Sequence, residues 1–132
     1  LYMVEHGEYK VVVEGEIINV TFIGMFNDVA SKKVCHCVEE IISRMNGAKF
    51  CMLFNMLEYE GSTPEAHIIG DKHFAWMENQ NCLGRASVFS SMALVEISRN
   101  EQESLRESSI ESRVFEKEID AKSWLLSLLN KP

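Results

Sequence analysis

Four cysteines, four histidines and one Ser-Thr pair carry most of the reactive chemistry in this 132-residue sequence. The tripeptide Cys35-His36-Cys37 offers thiols and an imidazole together, the donors zinc prefers. On a helix, however, Cys35 and Cys37 point about 200° apart. Zinc sites of this type use a C-x₂₋₄-C spacing with a second ligand pair, and none follows. The tripeptide is therefore expected to supply core or partly exposed thiols rather than a metal site. His67 and His73 do not share a helical face, and the i, i+4 spacing of a paired metal site is missing. His73 is expected to be a satisfied, semi-buried histidine, and His67 to form a surface pair with Asp71. Cys51 or Cys82 would need an adjacent histidine to act as a nucleophile, and nothing in the spacing selects such a pair. The G-x-S-x-G, P-loop and G-x-G-x-x-G patterns are absent. No catalytic residue, cofactor site or metal site is expected.

Ser62 and Thr63 precede Pro64 at the start of an amphipathic segment. A phosphate placed there would meet free backbone N–H groups and the positive end of a helix dipole. Glu58 and Glu60, in the preceding acidic turn, would oppose it. The same residues also read as caps. Ser62 with Glu65 fits the S-x-x-E capping box; alternatively Thr63 caps and Pro64 takes the first helical position. Plain capping is favoured over regulation.

The elements that position these residues follow from periodicity. Tyr9–Glu14 is a β-branched run and predicts a strand, as does Ile17–Phe26. The two-residue link Gly15-Glu16 joins them as an antiparallel hairpin. Asn27 and Asp28 are helix-start residues. Val34, Val38, Ile41, Ile42 and Met45 then fall on one helical face, and Asn46-Gly47 stops that helix. Phe50–Leu57 is continuously apolar apart from Asn55, which predicts a strand covered on both faces. Glu58–Gly61 reads as a turn. In the next helix Ala66, Ile69, His73 and Met77 recur at helical spacing with Gly70 on the same face, and Gly70 is expected to allow close packing against the sheet. Asn79–Gly84 ends that helix, Arg85–Ser91 predicts a strand, and Met92–Ser109 a helix, with residues 99–109 as an alternative loop. Ser112–Glu116 is a short last strand. Glu118–Asn130 closes the chain as a helix, with Ala121, Trp124, Leu125, Leu128 and Leu129 as its buried stripe.

This gives the order β-β-α-β-α-β-α-β-α and an α/β fold. After the hairpin, strand and helix alternate, so the sheet should be mixed, mostly parallel, with an antiparallel edge strand. Hydrophobic residues at 46% and charged residues at 25% suit one globular domain over 1–132. Residues 1–8 are expected to be a poorly ordered or vector-derived lead-in, with Met3 a candidate natural start. The net charge of −7 and a pI near 5.1 disfavour nucleic acid and anionic membrane surfaces, since both need a basic face. No apolar run reaches the roughly 18 residues of a membrane span. The absence of an export signal, with cysteines spread through apolar segments, points to free thiols in a reducing cytoplasm.

The strand-turn-helix FNMLEYEGSTPEA (Phe54–Ala66), the strand GRASVFSS (Gly84–Ser91) and the ending RVFEKEIDAKSWL (Arg113–Leu125), in this order, resemble the STAS superfamily of anti-sigma-factor antagonists. The match is nearer to its SpoIIAA-like branch, often grouped with SEC14-type lipid-binding domains. The resemblance runs from about Tyr9 onward. It implies a single-domain STAS-like, SpoIIAA-like fold. In the antagonists the helix after the third strand opens on a serine phosphorylated by a partner kinase, within Asp-Ser-Ser-Gly. The matching stretch here is Glu60-Gly61-Ser62-Thr63-Pro64, which makes Ser62 and Thr63 the candidate switch residues. Glu58, Tyr59, Glu60, His67 and Trp76 form the candidate partner or ligand surface; Trp76 lies off the apolar stripe, as an exposed contact or dimer residue would. The expected function is a non-enzymatic regulatory or protein-interaction module, with unknown protein partners and homodimerisation as a further candidate. The alternative is a small SEC14-like carrier with lipid or another apolar ligand as partner. Ordinary core packing is the favoured use of the many aromatic and methionine side chains.

Overall fold

The computed structural model describes residues 7–93 and 108–132. Its strands are β1 (Glu8–Glu14), β2 (Ile17–Phe26), β3 (Phe50–Ser62), β4 (Cys82–Val88) and β5 (Glu111–Phe115). Its helices are α1 (Asp28–Arg44), α2 (Pro64–Met77) and α3 (Glu118–Leu129). The strands form one sheet in the order β1-β2-β3-β4-β5. β1 pairs antiparallel with β2, and every later pairing is parallel. The mixed, mostly parallel sheet with an antiparallel edge is thus the one the hairpin and the alternation imply. The expected Met92–Ser109 helix falls largely outside the described residues; 91–93 are helical at its near end.

β3 is the spine of the sheet. Its first five residues, Phe50–Phe54, are buried, because helices cover both faces. Phe50, Met52 and Phe54 join one cluster with Val34, Val38 and Ile42 of α1 and Met77 of α2. Cys51 and Leu53 join a second with Ala86, Ala121, Leu125 and Leu129, beneath α3. The alternation along β3 therefore deals successive side chains to two separate cores. Lys49 anchors the far end of α3, donating from Nζ to the Leu129 carbonyl at 2.7 Å.

Several boundaries differ from the sequence expectations. Glu58–Gly61 is not a turn. It continues β3, pairing Glu58 with Ile23, Tyr59 with Gly24 and Gly61 with Met25, with register shifts on the way. The ten-residue β2 provides a long edge, and bulges absorb the polar residues without ending the ladder. β4 begins at Cys82 rather than Arg85, because β3 and β5 give Cys82 and Gly84 partners at Phe50 and Glu111. Glu8, expected to lie in the lead-in, opens β1, and Gly7 sits so close to the Phe26 ring that a Cβ would come within 2.8 Å of it.

The termini of α1 and α2 follow local chemistry. Asn27 caps α1, accepting from Ala30 N at 3.0 Å. Asn46 and Gly47, at φ 52 and φ 84, take the left-handed conformation that stops a helix. Thr63 caps α2, accepting from Ala66 N at 3.2 Å, with Pro64 as the first helical residue. Of the two capping schemes, the Thr63–Pro64 one is realised.

Candidate functional site

α1 and α2 lie side by side on one face of the sheet, and a pocket of about 170 Å³ opens between them. The sequence of α2 explains the gap. Its sheet-facing stripe is Ala66, Gly70, His73 and Met77, and the first two are too small to reach the sheet. A Cβ at Gly70 would meet nothing within 4 Å. The expected close packing of Gly70 on the sheet is thus not formed; the glycine lines a space instead. Val20, Phe22, Phe54 and Met56 form the sheet side of the pocket, and Val34, Cys35 and Val38 the α1 side. His67, Asp71 and Phe74 are exposed lining residues on α2, so the pocket is partly open to solvent.

His73 closes one end. It is buried, and its Nδ1 donates to Glu39 Oε2 of α1 at 2.7 Å. This bond joins the two helices, and the histidine is satisfied as expected. Trp76 stacks on the His73 ring with centroids 6.1 Å apart and planes 20° from parallel. It is half-buried against the core and is therefore mainly a packing residue, not the exposed contact its off-stripe position suggested. Phe74 receives the Arg85 guanidinium 5.2 Å from its ring centroid. Arg85 is itself buried, and its Nη2 donates to Ser108 Oγ at 2.8 Å. Ser108 and Ser109 donate to Glu78 at the end of α2, which holds that carboxyl below its usual range.

Ser62 and Tyr59 close another side of the pocket. Tyr59 packs on Phe22 and Phe26, with centroids 6.2 and 6.1 Å away. Its hydroxyl and Ser62 Oγ share a hydrogen bond. Both candidate switch hydroxyls are thus engaged, Thr63 in the cap and Ser62 with Tyr59. Glu58 and Glu60 are exposed on the β3 extension, outside the pocket lining, while Tyr59, Ser62 and His67 belong to it. His67 and Asp71 share the pocket lining without an ion pair between them, so the expected surface pair is not formed.

Burial pushes the Cys35 and Cys51 thiols up to about 11 and the Cys82 thiol up to about 12, which keeps them protonated and unreactive. His36 is exposed and faces Glu40 at 3.4 Å, one turn along α1. Among the described residues no group of three His, Cys, Asp or Glu side chains could hold a metal ion. No helix among them is long and apolar enough to cross a membrane. Sequence reasoning held such a pocket only as its alternative, an apolar-ligand carrier, and favoured core packing for the aromatic and methionine residues that line it. The pocket's one legible signal was the Ala66–Gly70 pair in the buried stripe of α2.

No family model and no curated protein matches the chain. Similarity appears at the level of structure, with seven matching chains. One is an uncharacterized protein of the DUF3478 family with a SpoIIAA-like fold from Shewanella loihica PV-4. It superposes with a TM-score of 0.73 over 95% of this chain and 98% of that one, at 12% identity. A mixed sheet with an antiparallel first strand, a helix pair on one face and a closing helix on the other, aligned over nearly its full length with that protein, gives this chain the SpoIIAA-like fold.

Proposed function

We propose that this STAS-like domain is a non-enzymatic binding module that takes a small apolar ligand between α1 and α2. The observation that carries this reading is the pocket: mostly apolar walls, partial opening to solvent, and a few polar side chains, among them Ser62, His67 and Asp71. An apolar cavity of about 150 Å³ is enough to take a benzene ring, so a space of this size suits a ring or the end of an acyl chain. The rest of such a ligand would leave past His67, Asp71 and Ser62, where a polar head finds hydrogen-bond partners. Pockets of this composition, few per protein and mostly apolar, are the usual places for small-molecule binding. The thiol in the walls, Cys35, is pushed up to about 11 by burial, which weakens it as a nucleophile. A regulatory role exerted through a protein partner would then act by way of the α2 surface that the ligand supports, rather than by phosphorylation of Ser62 or Thr63, whose hydroxyls already have partners.

The test is titration with cis-parinaric acid, a fluorescent fatty acid, alongside native mass spectrometry of protein purified from its host without delipidation. Saturable binding at one probe per chain is expected, with a sharp loss in Gly70→Leu, whose side chain would occupy the space while favouring the helix. No saturable binding by the wild type and no co-purified apolar molecule would overturn the reading. Equal binding by Gly70→Leu would place the probe elsewhere and overturn it too.

A further inference from the structure

β1 stands at the edge of the sheet, hydrogen-bonded only to β2 among the described strands. Its turn is two residues long, Gly15-Glu16, with Gly15 at φ 60. In such a hairpin the flanking pair, here Glu14 and Ile17, exchanges both backbone hydrogen bonds. Alternation fixes the remainder of the strand. Glu14, Val12, Lys10 and Glu8 bond inward to β2, while Tyr9, Val11 and Val13 turn their N–H and C=O groups outward. The strand contains no proline, and its pairing with β2 has no register shift, so two of the devices that blunt an edge are missing, and the one present is charge, at Glu8, Lys10 and Glu14. Val12 and Val13 are 38% and 47% exposed.

The charge order along β1 favours registers that set Lys10 against an acidic residue, and of these the one centred on Val12 pairs more of the strand than the one centred on Tyr9. In a two-fold antiparallel pair centred on Val12, Lys10 of each copy lies opposite Glu14 of the other. Val12 then meets Val12 between the two ion pairs. On the opposite face Val11 meets Val13, and both are residues with outward-facing backbone groups. Centring on Val11 would set Glu8 against Glu14, and centring on Lys10 would set Lys10 against itself, both like-charge pairs that destabilise a ladder. Odd shifts would oppose an outward-bonding residue to an inward-bonding one. Glu16 does not extend the register, because its carbonyl is drawn the other way to accept from Cys51 N at 2.9 Å.

We propose that the β1 edge pairs with the β1 edge of a second copy, antiparallel and centred on Val12, making one sheet continuous across both chains. This surface lies on a different part of the molecule from the α1–α2 pocket, so the two proposals stand or fall separately. Sedimentation equilibrium over a concentration series tests it with three variants. Val13→Pro removes an outward N–H and leaves the β2 ladder intact, since proline is accepted on an edge at such a position; it should give a monomer with wild-type circular dichroism. Lys10→Glu should weaken dimerisation at least about tenfold, from two like-charge pairs. Lys10→Glu combined with Glu14→Lys restores opposite charges and should recover most of that loss. A wild type that is monomeric throughout would overturn the proposal. So would a dimer that Val13→Pro leaves intact, or a charge exchange no tighter than Lys10→Glu alone.

Discussion

The two faces of the sheet are built from similar materials and end differently. On one face α3 lies so close to β4 that a Cβ at Gly84 would come within 2.4 Å of Leu128 Cδ1 and 3.4 Å of Trp124 Cη2. On the other, α2 carries a glycine with nothing within 4 Å of the place its Cβ would take. Both helices have an apolar stripe, and both glycines lie in the contact region between a helix and the sheet. Gly84 is on the strand, and its missing side chain lets Leu128 and Trp124 descend onto the sheet. Gly70 is on the helix beside Ala66, and its missing side chain leaves a space above β2 and β3 because no larger residue from another element moves in. A small residue therefore closes a core when the partner has a large side chain to insert, and opens a pocket when it does not.

The comparison can be broken experimentally. Leu125 is fully buried in the closed face, and Leu125→Ala should cost about 2–5 kcal/mol of unfolding free energy by denaturant titration, the range for a truncated core leucine. A much smaller loss would mean that the closed face is looser than its geometry. The glycine pair sharpens the contrast by sign. Gly84→Ala forces Leu128 to move and should destabilise by about 1–3 kcal/mol, as overpacking does. Gly70→Ala adds a methyl into open space and improves helix propensity, so it should stabilise by up to about 1 kcal/mol. Equal signs in thermal melts would contradict the assignment of one face as closed and the other as open. A smaller effect concerns the entry to α2. Thr63→Ala should cost about 1 kcal/mol through loss of the cap, whereas Ser62→Ala should cost less, because the Ser62 hydroxyl bonds Tyr59 rather than a helix N–H. The reverse order would return the capping role to Ser62.

How much of this could be read from the sequence differs by element. The hairpin, α1 and α3 were legible because each is specified by neighbours in the chain: a two-residue turn, the Asn27 cap with Asn46-Gly47 as a stop, and the Ala121–Leu129 stripe. The end of β3 was not. Glu58-Tyr59-Glu60-Gly61 has turn composition, and only the length of β2, a different part of the chain, keeps it in the ladder. The role of Trp76 was hidden for a similar reason, since helical spacing places it off the stripe and only His73 and the core beside it give the ring a partner. At the candidate site, His73 behaved as its local chemistry implied, and Thr63 realised one of the two capping schemes that chemistry allowed. The pocket required knowing which side chains fail to meet.

The sequence by itself determined the order of the described elements, the choice of Ser62 or Thr63 as the cap of α2, and the satisfied character of His73. These depend on spacing along a chain of known local geometry. Only the tertiary structure decided that the Ala66–Gly70 stretch leaves a space above β2 and β3, and that β3 runs on to Ser62. It also decided that Gly84 is covered by Leu128 and Trp124. Periodicity says which side chains face inward, but the volume left between two elements depends on the residues of both. For the stripe of α2 those partners lie on β2, β3 and α1, far from it in sequence.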